Sequence, residues 1–524
     1  MPSEAVNDSA VSIDADYVIE SGEQSRRGEA VQAAASGVTV PSLSPFPVVG
    51  VVLAAGASSR MAPGFKPLLD LHGASVLARC VETFRQAGVS DVLVVTGHRA
   101  DEVAAEATRL GAATVHNPAW REGGMFSSVR AGLGAVVGRG DETAEFGGAA
   151  GRGGAGVLLL PVDAALVRPL TVRLLLEHAA AHPDRVLMPV FDGQWGHPPL
   201  LHASVLPIIL ADGGGGGLRG ALHRLGAHAL QEVCVPDRFI LRDMDTPDDY
   251  HAACADWPTR DVPTPQEART LLAVRAVPPG GITHAEGVAA VAVRLADGLN
   301  AARTMAGQDR VPGGPSGTGA RLDGELDSEL DSELDSALTE AAALLHDIAK
   351  GQPRHEAAGG ALLRELGFSG VAGIVSAHRD TTLADDQPLS EREVVYFADK
   401  LVRCHTVVDV KSRFGEKLAQ WRHDPEAAAA IEGRMRRALA LRARIEREAG
   451  RPLADILHPL SVGMPAWEPD TGGVSQAGET ARAGLAISCS ATAPDRSPAS
   501  TGHGPEHGPE CGPVRESADD GNHP

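Results

Sequence analysis

The stretch that most restricts the fold is VVGVVL at residues 48–53, which stops abruptly at Ala54-Ala55-Gly56. A short apolar run without polar alternation belongs to a strand covered on both faces, and such strands occur in parallel sheets flanked by helices. The pattern recurs downstream. A helix is predicted over 75–87, a second strand over 91–96 and a third over 156–161, directly before Val162-Asp163. Strands alternating with helical periods predict an α/β Rossmann-like domain with a mostly parallel sheet. Aromatic residues make up only 3% of a chain that is 43% hydrophobic, so its cores must be built from Ala, Val and Leu.

From about residue 263 helical periodicity dominates and strand signals vanish. Helices are predicted near 284–299 and over 337–349, 354–366, 370–378, 391–408 and 426–448. The expected organisation is therefore an α/β domain over 47–258 and an all-α domain over 263–464. Four stretches bury too little apolar surface to offset chain entropy and read as disordered. They are a leader at 1–46, an insertion at 138–156, a linker at about 305–336 with a Leu-Asp-Ser-Glu repeat, and a tail at 465–524. The Gly tract at 213–217 reads as a further loop.

A net charge of −21 disfavours a nucleic-acid partner, because phosphate neutralisation needs Lys and Arg. No apolar run reaches membrane-span length, so no membrane partner is expected. The first residues lack a basic start followed by an apolar stretch, so no signal peptide is expected. The six cysteines are scattered without a CxxC pair, which predicts a cytoplasmic protein rather than a disulfide or zinc-ribbon scaffold.

The loop after the first strand reads LAAGASSRMAPGFKPLL. Gly56 permits close backbone approach to a ligand, and the amides of Ala57, Ser58 and Ser59 are placed to cradle phosphate oxygens. Arg60 supplies a rigid fork of donors and Lys66 a point charge. Two acidic positions complete this constellation. Asp163 follows a buried strand, where open α/β sheets place ligand groups, and Asp245 lies in RDMDTPDDY. A hard Mg²⁺ ion takes one or two carboxylates plus nucleotide phosphates, which Asp163 and Asp245 satisfy, with Asp243 as a weaker candidate. Asp248 and Asp249 read instead as the start of a helix.

The loop resembles the signature of the MobA-like NTP transferase family, in particular the molybdenum cofactor cytidylyltransferases, with their LAAG-x-S-x-RMG-x-x-K. VVTGH at 94–98, HNPAWREGGMFSSVRAGL at 116–133, LLLPVDAALV, GQWGHPPLL at 193–201 and RDMDTPDDY extend the similarity over about 48–257. Ala62 departs from the family's glycine, and Gly123-Gly124 carries one extra residue. The resemblance implies transfer of a nucleoside monophosphate from an NTP to the phosphate of a molybdopterin-type acceptor, releasing pyrophosphate. Ala55, in place of the guanylyltransferase branch's glycine, tilts the base towards CTP over GTP. It further implies a nucleotide site formed by Leu53, Ala54, Ala55, Gly56, Ala57, Ser58, Ser59, Arg60, Lys66, Gly97, Asn117 and Ser127, and an acceptor site at Gly196 and His197. A molybdoenzyme or its chaperone is the implied protein partner. A sugar-phosphate nucleotidylyltransferase is the competing reading.

A second constellation lies in the helical half: His284, His346-Asp347, His355, His378 and Asp399. Imidazole and carboxylate side chains projecting into a helical bundle suit a divalent transition metal such as Mn²⁺ or Fe²⁺. LLHDIAKG-x-x-RH in particular resembles the HD-type metal phosphohydrolases. That resemblance implies a metal on His284, His346, Asp347 and Asp399, a second on His355 and His378, and substrate phosphate held by Lys350 and Lys400. Arg379 stands where some relatives have a second His. The competing reading makes this half a non-catalytic nucleotide-sensing module. The Arg-rich helix near 434–448 reads as a solvated face laced with ion pairs.

Overall fold

The computed structural model describes residues 46–138, 156–213, 215–308, 333–381 and 387–458. β1 (Val48–Leu53) lies in the middle of the sheet, with β2 (Val92–Thr96) on one side and β4 (Gly156–Pro161) on the other, both parallel to it. β3 (Ala113–His116) runs parallel beyond β2. Past β4 the chain adds β5 (Val186–Phe191), the short β6 (Gln194–Trp195) and β7 (Leu200–Leu201), and β8 (Leu230–Cys234). The order is β3-β2-β1-β4-β7-β5-β6, with β8 parallel to β5 and β7 antiparallel between β4 and β5.

Period-two alternation divides the side chains between two apolar layers. Val52, Val94, Leu158 and Leu160 enter one core, and Val51, Leu53, Leu93, Val95 and Leu159 the other. The second layer is closed by helices Gly124–Gly138, Leu206–Ala211 and Gly217–Leu225, through Leu133, Ile209 and Leu222. Helices Val76–Gln86 and Pro169–Ala181 close the first layer, which continues without a break into the helical half. That half is built from Pro265–Val274, Pro279–Gln308, Ser336–Leu345, His355–Leu366, Ser369–Ala377, Glu391–Leu401, Val410–Gln420, Pro425–Glu448 and Leu453–Leu457.

Several expectations need correction. The strand at 156–161 is the fourth in the chain, because Ala113–His116 precedes it; those four residues alternate in burial on an outer strand and lack a continuous apolar run. The helix expected at 284–299 spans Pro279–Gln308, and Asp335 caps Ser336–Leu345, so both ends of the expected linker are helical or capping. The helix expected at 337–349 stops at Leu345, and His346-Asp347 lie in the turn beyond it. The helix expected at 391–408 ends at Leu401, where β9 (Val402–Arg403) and β10 (Thr406–Val407) form a small antiparallel hairpin, so strands do recur in this half. Helix Gly217–Leu225 already begins at the last glycine of the tract. Residues 1–45, 139–155, 309–332 and 459–524, which hold most of the stretches read as disordered, lie outside the described residues.

A buried ionic node joins the two halves. The Arg168 guanidinium donates to Asp237 Oδ1 at 2.9 Å and to Glu267 Oε1 at 2.5 Å, and Glu267 also accepts from Arg238 Nη1 at 2.7 Å. Glu267 belongs to helix Pro265–Val274 and forms a capping box with Thr264. Burial pushes the Glu267 carboxyl up, but Arg168 and Arg238 overcome this and hold it below its ordinary value. A carboxyl lowered in the fold contributes stability above the unfolded glutamate range, and that contribution is lost as pH falls through the folded value. Glu267→Ala takes one of the two carboxylates, Glu267 and Asp237, from the buried Arg168 guanidinium, and a broken buried pair of this kind costs about 3 kcal/mol. The expected result is a large loss of stability in urea unfolding at neutral pH that shrinks in acid; equal stability at neutral pH would contradict it.

Candidate active sites

The first constellation assembles where strand order reverses, at the carboxyl ends of β1 and β4, the place at which open α/β sheets bind ligands. The ends are knitted together by the backbone: Val162 N donates to Leu53 O at 3.2 Å, and Ala54 N to Val95 O at 3.0 Å. Leu53, Ala54 and Ala55 are buried, while Gly56, Ala57 and Ser59 are exposed along the crevice. Ser58 adopts a left-handed conformation (φ 53°) and its hydroxyl accepts from Lys66 N at 3.2 Å, which folds the loop back on itself. Met61 is buried beneath the turn.

Lys66 is the centre of the charge arrangement. Its buried ammonium donates to Asp163 Oδ2 at 3.0 Å and to Asp245 Oδ1 at 3.1 Å. Arg60 reaches the same Asp245 oxygen at 3.0 Å from a largely exposed position. Residues 97 positions apart (Lys66 and Asp163) and 179 apart (Lys66 and Asp245) thus meet at one atom. Met244 N donates to Asp163 O at 3.1 Å, and this bond sets the two acidic segments side by side. Asp163 Oδ1 is buried with no hydrogen-bond partner among the described residues, a costly state for a carboxylate oxygen and one that a cation relieves.

Asp243 belongs to the same cluster. Burial and the neighbouring Asp163 raise its carboxyl, against the pull of His197. Burial lowers the His197 imidazole on balance, against the pull of Asp243 and Asp163, and its Nδ1 has no hydrogen-bond partner among the described residues. The charges of Asp243 and Asp163 therefore act on the His197 imidazole. Gly196 makes this possible: a Cβ there would stand 2.6 Å from Ile240 Cγ1 and 2.7 Å from its carbonyl carbon. His197 N donates to Ile240 O at 3.0 Å across the same contact.

Other expected nucleotide contacts sit in the loop architecture. Gly97 lies against Ala55, and His98 N donates to Ala55 O at 3.0 Å. Asn117 is buried; its amide donates to Ser127 Oγ at 2.8 Å and Ser128 Oγ at 3.0 Å, and its carbonyl accepts from Ala119 N. Asn117 and Ser127 thus shape the turn that leads into Gly124–Gly138. Asp249 forms a capping box with Thr246 at the head of Pro247–Asp256, the helix start read from the sequence.

The second constellation converges in the helical half. His284, on Pro279–Gln308, approaches Asp399 Oδ1 at 3.3 Å and Asp347 Oδ2 at 3.9 Å through Nε2. His346 Nε2 lies 3.4 Å from Asp347 Oδ2 and 3.8 Å from Asp399 Oδ1. On the other side of the same carboxylate, His355 Nε2 lies 3.3 Å and His378 Nε2 3.6 Å from Asp347 Oδ1. His284, His346 and Asp347 form one group and Asp347, His355 and His378 another, each with ligand atoms within 4.8 Å of one another.

The backbone aims these rings. His346 caps Ser336–Leu345, and its Nδ1 bonds Ala343 O at 2.7 Å; His378 caps Ser369–Ala377, and its Nδ1 bonds Val375 O at 2.7 Å. With Nδ1–H donated to a carbonyl, the Nε2 lone pair is left for a metal. His346 Nε2 is buried and has no hydrogen-bond partner among the described residues, so the donor set fits a divalent cation. His355 and His378 meet because their helices cross closely at Gly360, where a Cβ would stand 2.7 Å from Ser376 Cβ and 2.8 Å from Ala372 O.

Burial opposes charge on His346, but Asp347 and Asp399 raise it on balance; burial pushes His378 down. Burial likewise opposes the Asp347 and Asp399 carboxylates, yet His346 for the first and Lys400 for the second hold them well below the usual range. Lys350 Nζ pairs with Asp347 Oδ2 at 2.8 Å and Lys400 Nζ with Asp399 Oδ2 at 2.6 Å. Arg413 Nη2, 3.5 Å from Asp399, and Glu356, beside His355 and 3.3 Å from Arg379, join the cluster without a sequence signal beyond their neighbours.

Comparison with known proteins gives two family matches. Residues 50–232 match the MobA-like NTP transferase domain, and residues 281–404 the HD domain. Nicotine blue oxidoreductase of Paenarthrobacter nicotinovorans is 39% identical over 85 residues, 16% of this chain and 41% of that protein, so the chain spans about two fifths of its length. A nucleotidyl transferase from Methanothermobacter thermautotroptrophicus shares 24% identity with a TM-score of 0.33, over 41% of this chain and 98% of that one. Molybdopterin-guanine dinucleotide biosynthesis protein A from Archaeoglobus fulgidus shares 17% identity with a TM-score of 0.31, over 40% and 99% of the respective chains. Among the described residues no helix is long and apolar enough to cross a membrane.

Proposed function

This chain carries a MobA-like NTP transferase domain followed by an HD domain, and from that premise we propose that its first half transfers CMP from CTP to the phosphate of a molybdopterin-type acceptor. The observation that carries the reading is the meeting of Asp163 and Asp245 on the Lys66 ammonium beside the Gly56 turn. Both reactants are anions, so their repulsion must be offset before they react. Asp163 and Asp245, with Asp243 beside them, would hold Mg²⁺, which supplies charge neutralisation between the reactants and the leaving pyrophosphate. Lys66, Arg60 and the backbone amides of residues 56–59 hold phosphate oxygens in line for displacement at the α-phosphorus. The acceptor oxygen forms the new P–O bond as the bond to pyrophosphate breaks. His197, kept neutral by burial, donates to or accepts from the acceptor without adding charge.

The base preference rests on Ala55, and the acceptor on the residues shared with the cofactor transferases. For the second half we propose hydrolysis of a phosphate ester or anhydride, with His284, His346, Asp347, His355, His378 and Asp399 holding one or two divalent ions such as Mn²⁺ or Fe²⁺ that supply a nucleophilic water at neutral pH. The test of the first half is pyrophosphate release from CTP and GTP with molybdopterin. Release is expected to require molybdopterin and to be at least about tenfold faster with CTP. Release that depends on a sugar 1-phosphate and not on molybdopterin overturns the assignment.

A further inference from the structure

Beside the metal-ligand cluster lies a groove of about 410 Å³ whose lining includes Arg379, Asp380, Arg434 and Arg437. Arg379 and Asp380 follow His378 directly, and Arg434 and Arg437 project from Pro425–Glu448, whose small residues form the rest of the wall. One contact and one buried side chain relate the groove to the cluster. Arg379 Nη1 lies 3.3 Å from Glu356, the neighbour of His355. Tyr396 stands one helical turn before Asp399 on Glu391–Leu401; burial raises its phenol, and Asp380, Arg437 and Arg434 of the groove act on it together with Asp399 of the cluster. The Tyr396 hydroxyl is fully buried and has no hydrogen-bond partner among the described residues.

The charge of the groove runs against that of the chain. Its lining has three arginines and one aspartate, in a protein of net charge −21. Arg437 Nε is engaged by Asp380 Oδ1 at 2.8 Å. Arg434 makes no hydrogen bond or ion pair among the described residues. A cationic concavity on an acidic surface concentrates anions. A single phosphate at the metal ligands needs no such space, whereas an open groove of this volume has room for a larger part of a small ligand.

We propose that the groove binds the part of the substrate beyond the scissile phosphate, and that this part carries a second anionic group, as in a nucleoside diphosphate. The proposal rests on reading the HD half as a metal phosphohydrolase. Hydrolysis of such a substrate adds the water oxygen to the terminal phosphorus. The bridging P–O bond breaks, its electron pair leaves on the nucleoside monophosphate, and the protons of water pass to the products and solvent. Arg434, partly exposed and without a hydrogen bond or ion pair among the described residues, is the residue left to meet the second anionic group.

The experiment uses the full chain with Mn²⁺ and two substrates, p-nitrophenyl phosphate and adenosine 5′-diphosphate. It adds calorimetric titration of adenosine 5′-diphosphate into the wild type, Arg434→Gln and Arg434→Lys. Arg434→Gln is expected to raise KM for the diphosphate about tenfold with kcat unchanged, to leave p-nitrophenyl phosphate hydrolysis unaffected, and to be rescued in part by Arg434→Lys. Calorimetry is expected to show one class of diphosphate sites weakened by the same factor, while any site in the first half is untouched. If Arg434→Gln changes neither KM nor calorimetric binding, the groove proposal is overturned even where p-nitrophenyl phosphate is hydrolysed. If the wild type hydrolyses neither substrate, the phosphohydrolase reading fails, and weakened diphosphate binding in Arg434→Gln still supports the groove.

Discussion

Asp163→Asn is expected to lower nucleotide transfer by about a thousandfold while leaving the fold intact. Asparagine preserves the shape and one acceptor for Lys66, which now reaches Asp163 Oδ2 at 3.0 Å. It removes the negative charge and replaces one carboxylate oxygen, so the partnerless Oδ1 position no longer belongs to an anion. The same change relieves repulsion on Asp243, whose carboxyl is raised by burial and by Asp163. Thermal stability should therefore hold steady or rise as activity falls, a combination that separates a lost ligand from a lost fold. Pyrophosphate release as a function of Mg²⁺ is the measurement. Near-wild-type rates at saturating Mg²⁺ would remove Asp163 from the chemistry. Hydrolysis by the helical half should be unaltered and serves as the internal control.

The reason for expecting so large an effect also shows what a sequence discloses and what it withholds. The carboxylate was legible at Asp163 because a buried strand ending in a polar residue has few other uses, and the DTP run pointed to Asp245. Their meeting was not legible, since it depends on the Met244–Asp163 backbone bond and on the Gly196 contact with Ile240, both made between segments far apart in sequence. The parallel strands β1, β2 and β4 were readable from continuous apolar runs, whereas β3 alternates in burial and β6 and β7 have two residues each. Asn117 looked like a ligand contact from its motif, yet its amide is engaged by Ser127 and Ser128, because local turn chemistry competes for the same donors. The Arg168–Glu267 node left no trace in the sequence, where each member reads as an ordinary charged residue.

In the helical half the residue types were legible and their division of labour was not. His346-Asp347 reads as one pair on a helix, but Ser336–Leu345 ends before it, and the following turn lets Asp347 point its two oxygens in opposite directions. The Arg-rich helix was read as a solvated face with ion pairs, and Arg444 and Arg442 do pair with Glu448 and Glu446 along it. Its Arg434 and Arg437, however, wall a groove with residues that follow His378. Helical periodicity reports which face is polar, not which other element stands opposite.

That geometry makes Asp347→Asn the most severe single change available to this half. Oδ2 faces His284 and His346 at 3.9 and 3.4 Å, and Oδ1 faces His355 and His378 at 3.3 and 3.6 Å, so one carboxylate serves both ligand groups. Removing its charge weakens both together, and it frees Lys350, now 2.8 Å from Oδ2. His355→Ala, in contrast, touches only the group that includes His378. Metal analysis of the purified chain after loading with Mn²⁺ distinguishes the cases. Asp347→Asn is expected to lose essentially all bound metal and about a thousandfold in hydrolysis of p-nitrophenyl phosphate, while His355→Ala keeps a metal on the remaining group. The imidazoles stay oriented in either variant, because His346 and His378 are anchored through Nδ1 to Ala343 O and Val375 O and not through Asp347. Full metal content and full activity in Asp347→Asn would show that the two groups do not depend on a shared ligand. Equal losses in both variants would instead show that the groups bind cooperatively and that neither holds an ion without the other.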